Sequence, residues 1–173
     1  SPGARLRPDG TGHPRTGEAY LKSMEVVDKA IVFDLAGDPG KTRPSAFLLA
    51  PEVNDLTASF VAQHPHKLIG FMSVHPRDPK ALEEMDRCYH DLGLKGIKMG
   101  CNFQNFDPNS AEAARLFSRA EGMGLPILFH TGTCKQQFSD LDWGRALHLD
   151  RVAMRFPKLK IILAHMGHPW HKE

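Results

Sequence analysis

The sequence holds 173 residues, with 22 Lys and Arg against 20 Asp and Glu, a formal net charge of +2 with His neutral. At 41% hydrophobic and 24% charged, the composition is that of a folding chain, and a domain of this length buries roughly 70% of its unfolded surface. Basic residues scattered singly among acidic ones exclude a phosphate-neutralising nucleic-acid binder or a membrane-surface protein as the main role.

No apolar run nears the roughly 20 residues of a bilayer span, and the N-terminus lacks a basic-then-apolar signal pattern. A soluble, cytoplasmic protein is therefore expected. Cys88, Cys101 and Cys134 show no paired spacing for zinc or redox chemistry and read as reduced, packed thiols. Ser1 to Arg15 carries Pro2, Gly3, Pro8, Gly10, Gly12 and Pro14 without apolar periodicity, so residues 1–15 are expected to be a flexible lead.

From Thr16 the pattern is regular. A helix carries Tyr20, Leu21, Met24 and Val27 on one face, and the short β-branched run Ala30 to Leu35 reads as a strand. After a Gly/Pro loop, Val53, Leu56, Phe60 and Val61 give helical spacing that stops at Pro65, and a strand follows over Leu68 to Val74. Asp78-Pro79 supplies an N-cap and first-turn proline for a helix with Leu82, Met85, Cys88, Tyr89 and Leu92 inward, closed by Gly93. Lys95 to Met99 is the third strand. Asn109 or Ser110 caps a helix with Ala113, Leu116, Phe117 and Ala120 inward, Gly124 closes it, and Leu125 to His130 is the fourth strand. Leu147, Val152, Ala153 and Phe156 line the last helix before a fifth strand, Leu159 to His165.

Apolar strands alternating with amphipathic helices define an α/β chain with a parallel sheet. An open doubly wound sheet and a (β/α)8 barrel both satisfy the alternation, and five strands alone favour the open sheet. In either fold, chemistry gathers at the C-terminal strand ends, which here carry Asp34, His75, Lys98, His130-Thr131-Gly132 and His165-Met166-Gly167-His168. Neither a GxGxxG nor a GxxxxGK[ST] segment follows any strand, so nucleotide binding lacks its motif.

A histidine closing a buried strand needs a partner. Two of them, His130 and His165, on strands about 4.8 Å apart can converge on one divalent ion. Lys98 reads as a substrate-anion contact or a modified bridging ligand, with a lysine snorkelling to the mouth as the plainer alternative. The one His-x-His, His64-Pro65-His66, falls at a helix end on the opposite face. His90 and His148 are expected to face solvent.

Leu94 to Lys98, Gly124 to Gly132, Ile161 to Trp170 and Gly70 to Pro79 together resemble strands three to six of the amidohydrolase-related metal-dependent hydrolases, the branch that includes aminocarboxymuconate-semialdehyde decarboxylase. The resemblance covers the chain from about Asp28 and implies a partial (β/α)8 TIM barrel of about five βα units over residues 16–173. It implies a mononuclear divalent metal, Zn2+ expected and Mn2+ the alternative, with His130 and His165 as ligand positions. His165 is also the implied acid/base that polarises substrate. From their places at the strand ends, Lys98, Thr131, His168 and Trp170 are the candidate substrate contacts, with simple packing the plainer alternative for Trp170.

The implied activity is hydrolysis of a C–N or C–O bond, or non-oxidative decarboxylation of a small carboxylated substrate, by a metal-activated water and a strand-end histidine. Family members open with a strand-one His-x-His and close with a strand-eight aspartate. Neither is present, so the chain is expected to be a fragment covering strands two to six. A metal-independent lactonase-like enzyme and an inactive fragment or binding module are the alternatives. The expected partner is a small-molecule substrate, with a homodimer allowed.

Overall fold

The computed structural model describes residues 17–40, 48–134, 139–170 and 172. The expected flexible lead over residues 1–15 lies outside the described residues. Five strands form one sheet: β1 (Ala30–Val32), β2 (Leu68–Met72), β3 (Gly96–Met99), β4 (Ile127–His130) and β5 (Ile161–Ala164). All neighbours are parallel and the spatial order is the chain order, β1-β2-β3-β4-β5. A doubly wound sheet reverses its order at a switch point. Without a reversal, right-handed crossovers put every helix on one face and leave the other concave, which is half of a (β/α)8 barrel. Strand order therefore decides what strand count could not.

The helices are α1 (Gly17–Ser23), α2 (Ala50–Gln63), α3 (Ala81–His90), α4 (Cys101–Gln104), α5 (Ala111–Met123) and α6 (His148–Arg155), with single 3-10 turns at Asp142–Gly144 and His165–Gly167. Among the described residues no helix is long and apolar enough to cross a membrane. At α5 the Ser110 hydroxyl accepts the Ala113 N–H at 3.2 Å, and Gly124 ends the helix at φ 68°, a left-handed conformation glycine adopts without strain.

Helix α3 begins at Ala81, not at Pro79. The Asp78 carboxylate accepts the Lys80 N–H and its carbonyl accepts the Ala81 N–H, which spends Asp78 on a turn ahead of the helix. Two stripe assignments also shift. In α6 the inward residues are Leu149 and Val152, with Phe156 half-buried, while Leu147 and Ala153 are exposed, because the helix starts at His148 and its stripe runs 149, 152, 156. In α2, Leu56 is 60% exposed while Asn54 and Thr57 are buried. No residue of α1 is buried.

The sheet's two faces follow from alternation. One face packs Met72, Ile97, Met99, Ile127 and Phe129 against Val53, Met85, Cys88, Leu116, Phe117 and Ala120. Phe117 meets Phe129 edge-on with ring centroids 5.7 Å apart. The concave face carries Ile31, Phe33, Phe71, Lys98, Leu128, His130 and Ile162. A side chain at Gly96 would strike the Phe71 ring at 2.4 Å, so the glycine makes room for that ring on the concave floor. Ile31, Phe33 and Ile162 each remain about 40% exposed there.

The buried polar residues of α2 have a reason. Asn54 donates to the Ser73 carbonyl at 3.1 Å and to Glu84 Oε1 at 2.8 Å, and its Oδ1 accepts the Ser73 N–H at 2.8 Å. Glu84 also accepts from Arg87 at 2.8 Å and from Cys88 Sγ at 3.2 Å. Burial pushes the Glu84 carboxyl up, but the hydrogen bonds from Arg87, Asn54 and Cys88 outweigh it and hold the carboxyl below its usual 4.5. A folded pKa below the unfolded one contributes stability that is present above the unfolded value and is lost as pH falls through the folded one. Glu84→Gln is expected to cost about 2 kcal/mol at pH 7 and much less below pH 4, as read from urea unfolding at the two pH values. An equal cost at both would remove the carboxylate from this account.

Candidate active site

Register brings the two strand-end histidines together. His130 is the last residue of β4 and pairs with Ala164 of β5, so His165 follows directly on the adjacent strand. Their ring centroids are 4.7 Å apart. The His130 Nε2–H donates to the Thr133 carbonyl at 3.2 Å, which fixes the tautomer and leaves the Nδ1 lone pair available. Phe103 of α4 packs against the same ring at 4.5 Å, tilted by 73°. Burial, with smaller contributions from Lys98 and His165, overrides the Thr133 carbonyl and lowers the His130 pKa to about 4, so the ring is neutral at pH 7. His165 and Met166 hold φ of 65° and 53°, left-handed conformations that cost non-glycine residues about 1–3 kcal/mol each and cluster at functional sites.

Two loops are locked over this pair. The Gly132 N–H donates to the Gly144 carbonyl at 2.7 Å, and the Thr133 N–H to the His168 carbonyl at 2.9 Å. Thr131 is buried, and its hydroxyl donates to the Ala164 carbonyl, tying the end of β4 to that of β5. A side chain at Gly144 would lie 2.3 Å from the Gly132 carbonyl, and Gly132 itself has φ 104°, so both positions require glycine. His168 is exposed, and Trp170 is half-buried beside the Arg145 guanidinium at 6.0 Å. Lys98 is buried on β3 with Nζ 5.1 Å above the Phe33 ring centroid, and burial pushes its pKa down to about 8.

The sequence pattern missed α4 and the residue that closes it. Gln104 accepts the Gly100 N–H at 3.0 Å and donates from Nε2 to the carbonyls of Ala36 at 2.9 Å and Val74 at 3.0 Å. It joins the chain segments that leave β1, β2 and β3. His75, a mouth candidate from its strand-end position, is fully buried, with Nε2–H donating to the Gln104 carbonyl at 2.9 Å and Nδ1 accepting the Arg77 N–H at 3.1 Å. It is part of the brace under the site. His148 is also not solvent-facing: it is half-buried against Trp143 and bonded to Asp142 at 2.9 Å. His171, a mouth candidate from its place after the fifth strand, lies outside the described residues.

Two imidazoles at one point, that of His130 neutral at pH 7, suit zinc or manganese, which take nitrogen donors readily. Among the described residues no group of three or more His, Cys, Asp or Glu comes together to hold a metal ion. The pair fits as part of a ligand set.

A half-barrel of five parallel strands in chain order belongs to the class of amidohydrolase-type TIM barrels. The chain belongs to the amidohydrolase family Amidohydro_2, whose profile matches residues 37–173. It is 26% identical over 135 residues to 2-amino-3-carboxymuconate-6-semialdehyde decarboxylase of Dictyostelium discoideum, covering 69% of this chain and 38% of that one. It is 26% identical over 151 residues to gamma-resorcylate decarboxylase of Rhizobium sp. strain MTP-10005, covering 72% and 46%. The chain thus spans less than half the length of these curated relatives.

Among solved structures, a TIM-barrel protein of Bordetella bronchiseptica superposes with a TM-score of 0.69 at 18% identity, over 91% of this chain and 54% of that one. The 5-carboxyvanillate decarboxylase of Novosphingobium aromaticivorans, solved with manganese and 4-hydroxy-3-methoxy-5-nitrobenzoic acid, superposes with a TM-score of 0.65 at 23% identity, over 85% and 48%. Both likenesses establish the barrel fold.

Proposed function

We propose that this protein is a metal-dependent carboxy-lyase that releases CO2 from a small hydroxylated aromatic acid. The observation that carries the reading is the pair of imidazoles 4.7 Å apart at consecutive strand ends, in a chain whose relatives decarboxylate carboxylated substrates. His130, neutral at pH 7 and braced by Thr133 and Phe103, would be a ligand, with His165 as its neighbour in the set or as the acid/base beside it. The two histidines are part of a coordination set, so the reading requires further ligands from outside the described residues. A bound divalent ion would supply Lewis-acid polarisation of the substrate oxygens. Manganese is the proposed ion, since a decarboxylase of the same fold binds it, and zinc is the alternative.

This chain's own groups would do the rest. His165 would hold the proton that replaces the departing carboxyl group on the ring carbon, which keeps the bonding electron pair. The Gly132–Gly144 and Thr133–His168 hydrogen bonds hold the loops that frame the mouth, with Trp170 and His168 on its rim. Thr131 would act on the substrate indirectly, by fixing the spacing of the two strand ends.

The test is turnover of 2,6-dihydroxybenzoate by the purified protein, followed by substrate absorbance and CO2 release. Turnover is expected with Mn2+, lost on chelation and restored by adding the ion back. Persistence after chelation would overturn the metal-dependent reading, and cleavage of an amide or lactone in place of the carboxylate would move the protein to hydrolysis.

A further inference from the structure

Lys98 poses a physical problem that the fold does not solve by itself. An ammonium in a protein interior costs free energy unless an anion or several acceptors surround it. The side chain is 3% exposed, and among the described residues its neighbours are the Phe33 ring and, electrostatically, His130 and the protonated Cys101 thiol, none of them an anion. No carboxylate or carbonyl of a described residue accepts from Nζ. Other cations of the fold are treated differently: Arg77 has Asp38 at 2.6 Å, Arg87 has Glu84 and Asp55 at 2.8 Å, and Arg115 donates to the carbonyls of Pro76 and Asp78.

The surroundings define what would satisfy it. Lys98 stands opposite Leu128 in the β3–β4 register, on the concave face and two residues deeper than His130. With strands about 4.8 Å apart and a rise of about 3.3 Å per residue, the Cα atoms of Lys98 and His130 are roughly 8 Å apart on one wall. Around them the face is apolar: Phe33, Leu128 and Ile162. A ligand that satisfies both features has a flat apolar body and one negative charge. A phosphate dianion would call for a second cation or a nest of backbone N–H groups, and no glycine-rich phosphate loop accompanies this lysine.

We propose that Lys98 is the carboxylate-binding subsite of this mouth, its ammonium taking a carboxylate oxygen of an aromatic acid whose ring lies along Phe33, Leu128 and Ile162 beside His130. The proposal rests on the carboxy-lyase reading for its substrate class, but its test does not need turnover. Lys98 then chooses among ligands by charge, while the apolar wall accepts any ring of the right size.

The experiment is calorimetric titration of the purified protein with benzoate and with resorcinol, each in EDTA and again with Mn2+. Lys98→Met, which keeps length and removes the charge, is expected to weaken benzoate about 10- to 100-fold, the range for a charge-assisted hydrogen bond, and to leave resorcinol within about twofold. Its Tm is expected to equal or exceed that of the parent, because an unpaired buried cation is removed. Equal benzoate affinity in parent and variant overturns the proposal. A parallel loss of benzoate and resorcinol with a lowered Tm is decided by Lys98→Gln, polar and uncharged: loss of benzoate alone at the parental Tm sustains the subsite, and any other result overturns it and makes Lys98 a packing residue. Failure of the parent protein to retain Mn2+ would strike the carboxy-lyase reading and leave the metal-free benzoate comparison to decide Lys98.

Discussion

Replacing His130 with alanine is expected to reduce retained Mn2+ to background after gel filtration and to lower decarboxylation by more than about 100-fold, since even partners that only orient a ligand cost 10- to 100-fold in affinity. The expectation follows from its position. His130 ends a fully hydrogen-bonded central strand, is held by Thr133 on one side and by Phe103 on the other, and is neutral at pH 7 because burial disfavours its charged form. A ligand so fixed pays little entropy on binding. His165, exposed and set on a left-handed turn, makes the informative contrast: His165→Ala is expected to lose turnover while retaining measurable metal. Metal content unchanged in His130→Ala, with circular dichroism showing an intact fold, would remove this histidine from the site and with it the metal-dependent reading.

What the sequence could show about this site depended on distance along the chain. His130 and His165 were visible because each closes a β-branched or apolar run, and strand ends converge wherever a parallel sheet forms. The same signal misled at His75, which also closes an apolar strand; a carbonyl 29 residues away, on Gln104, turns it into a buried brace. Strand order was not readable, because alternation of strands and helices is common to open sheets and barrels, and only pairing separates them. Helix α4, Cys101–Gln104, has four residues and no room for a periodicity, so no pattern marks it. In α2 the buried Asn54 broke the apolar stripe for a reason that lies on another helix, at Glu84. Local pattern reveals the elements, whereas the polar contacts that fix their relative positions are long-range and leave no local trace.

Gln104→Ala is expected to be the most damaging of the polar substitutions, at about 3–5 kcal/mol in urea unfolding, a large share of the 5–15 kcal/mol that holds a domain together. The loss leaves the Gly100 N–H and the carbonyls of Ala36 and Val74 without a partner in a region where Ala36 and Val74 have no exposed surface. Each orphaned group costs about 1–3 kcal/mol, and three sharing one side chain add less than fully. Gln104→Glu separates hydrogen bonding from volume. Its carboxylate can still accept from Gly100 but faces two carbonyls that need a donor, so it is expected to destabilise at least as much as alanine although it fills the same space. The site should feel the change through α4: with Gln104 gone, Phe103 loses its fixed approach to His130, and Mn2+ affinity is expected to fall about tenfold even under conditions where the protein stays folded. A cost below about 1 kcal/mol for both variants would mean that water replaces Gln104, and that the loops of β1, β2 and β3 are positioned by packing alone.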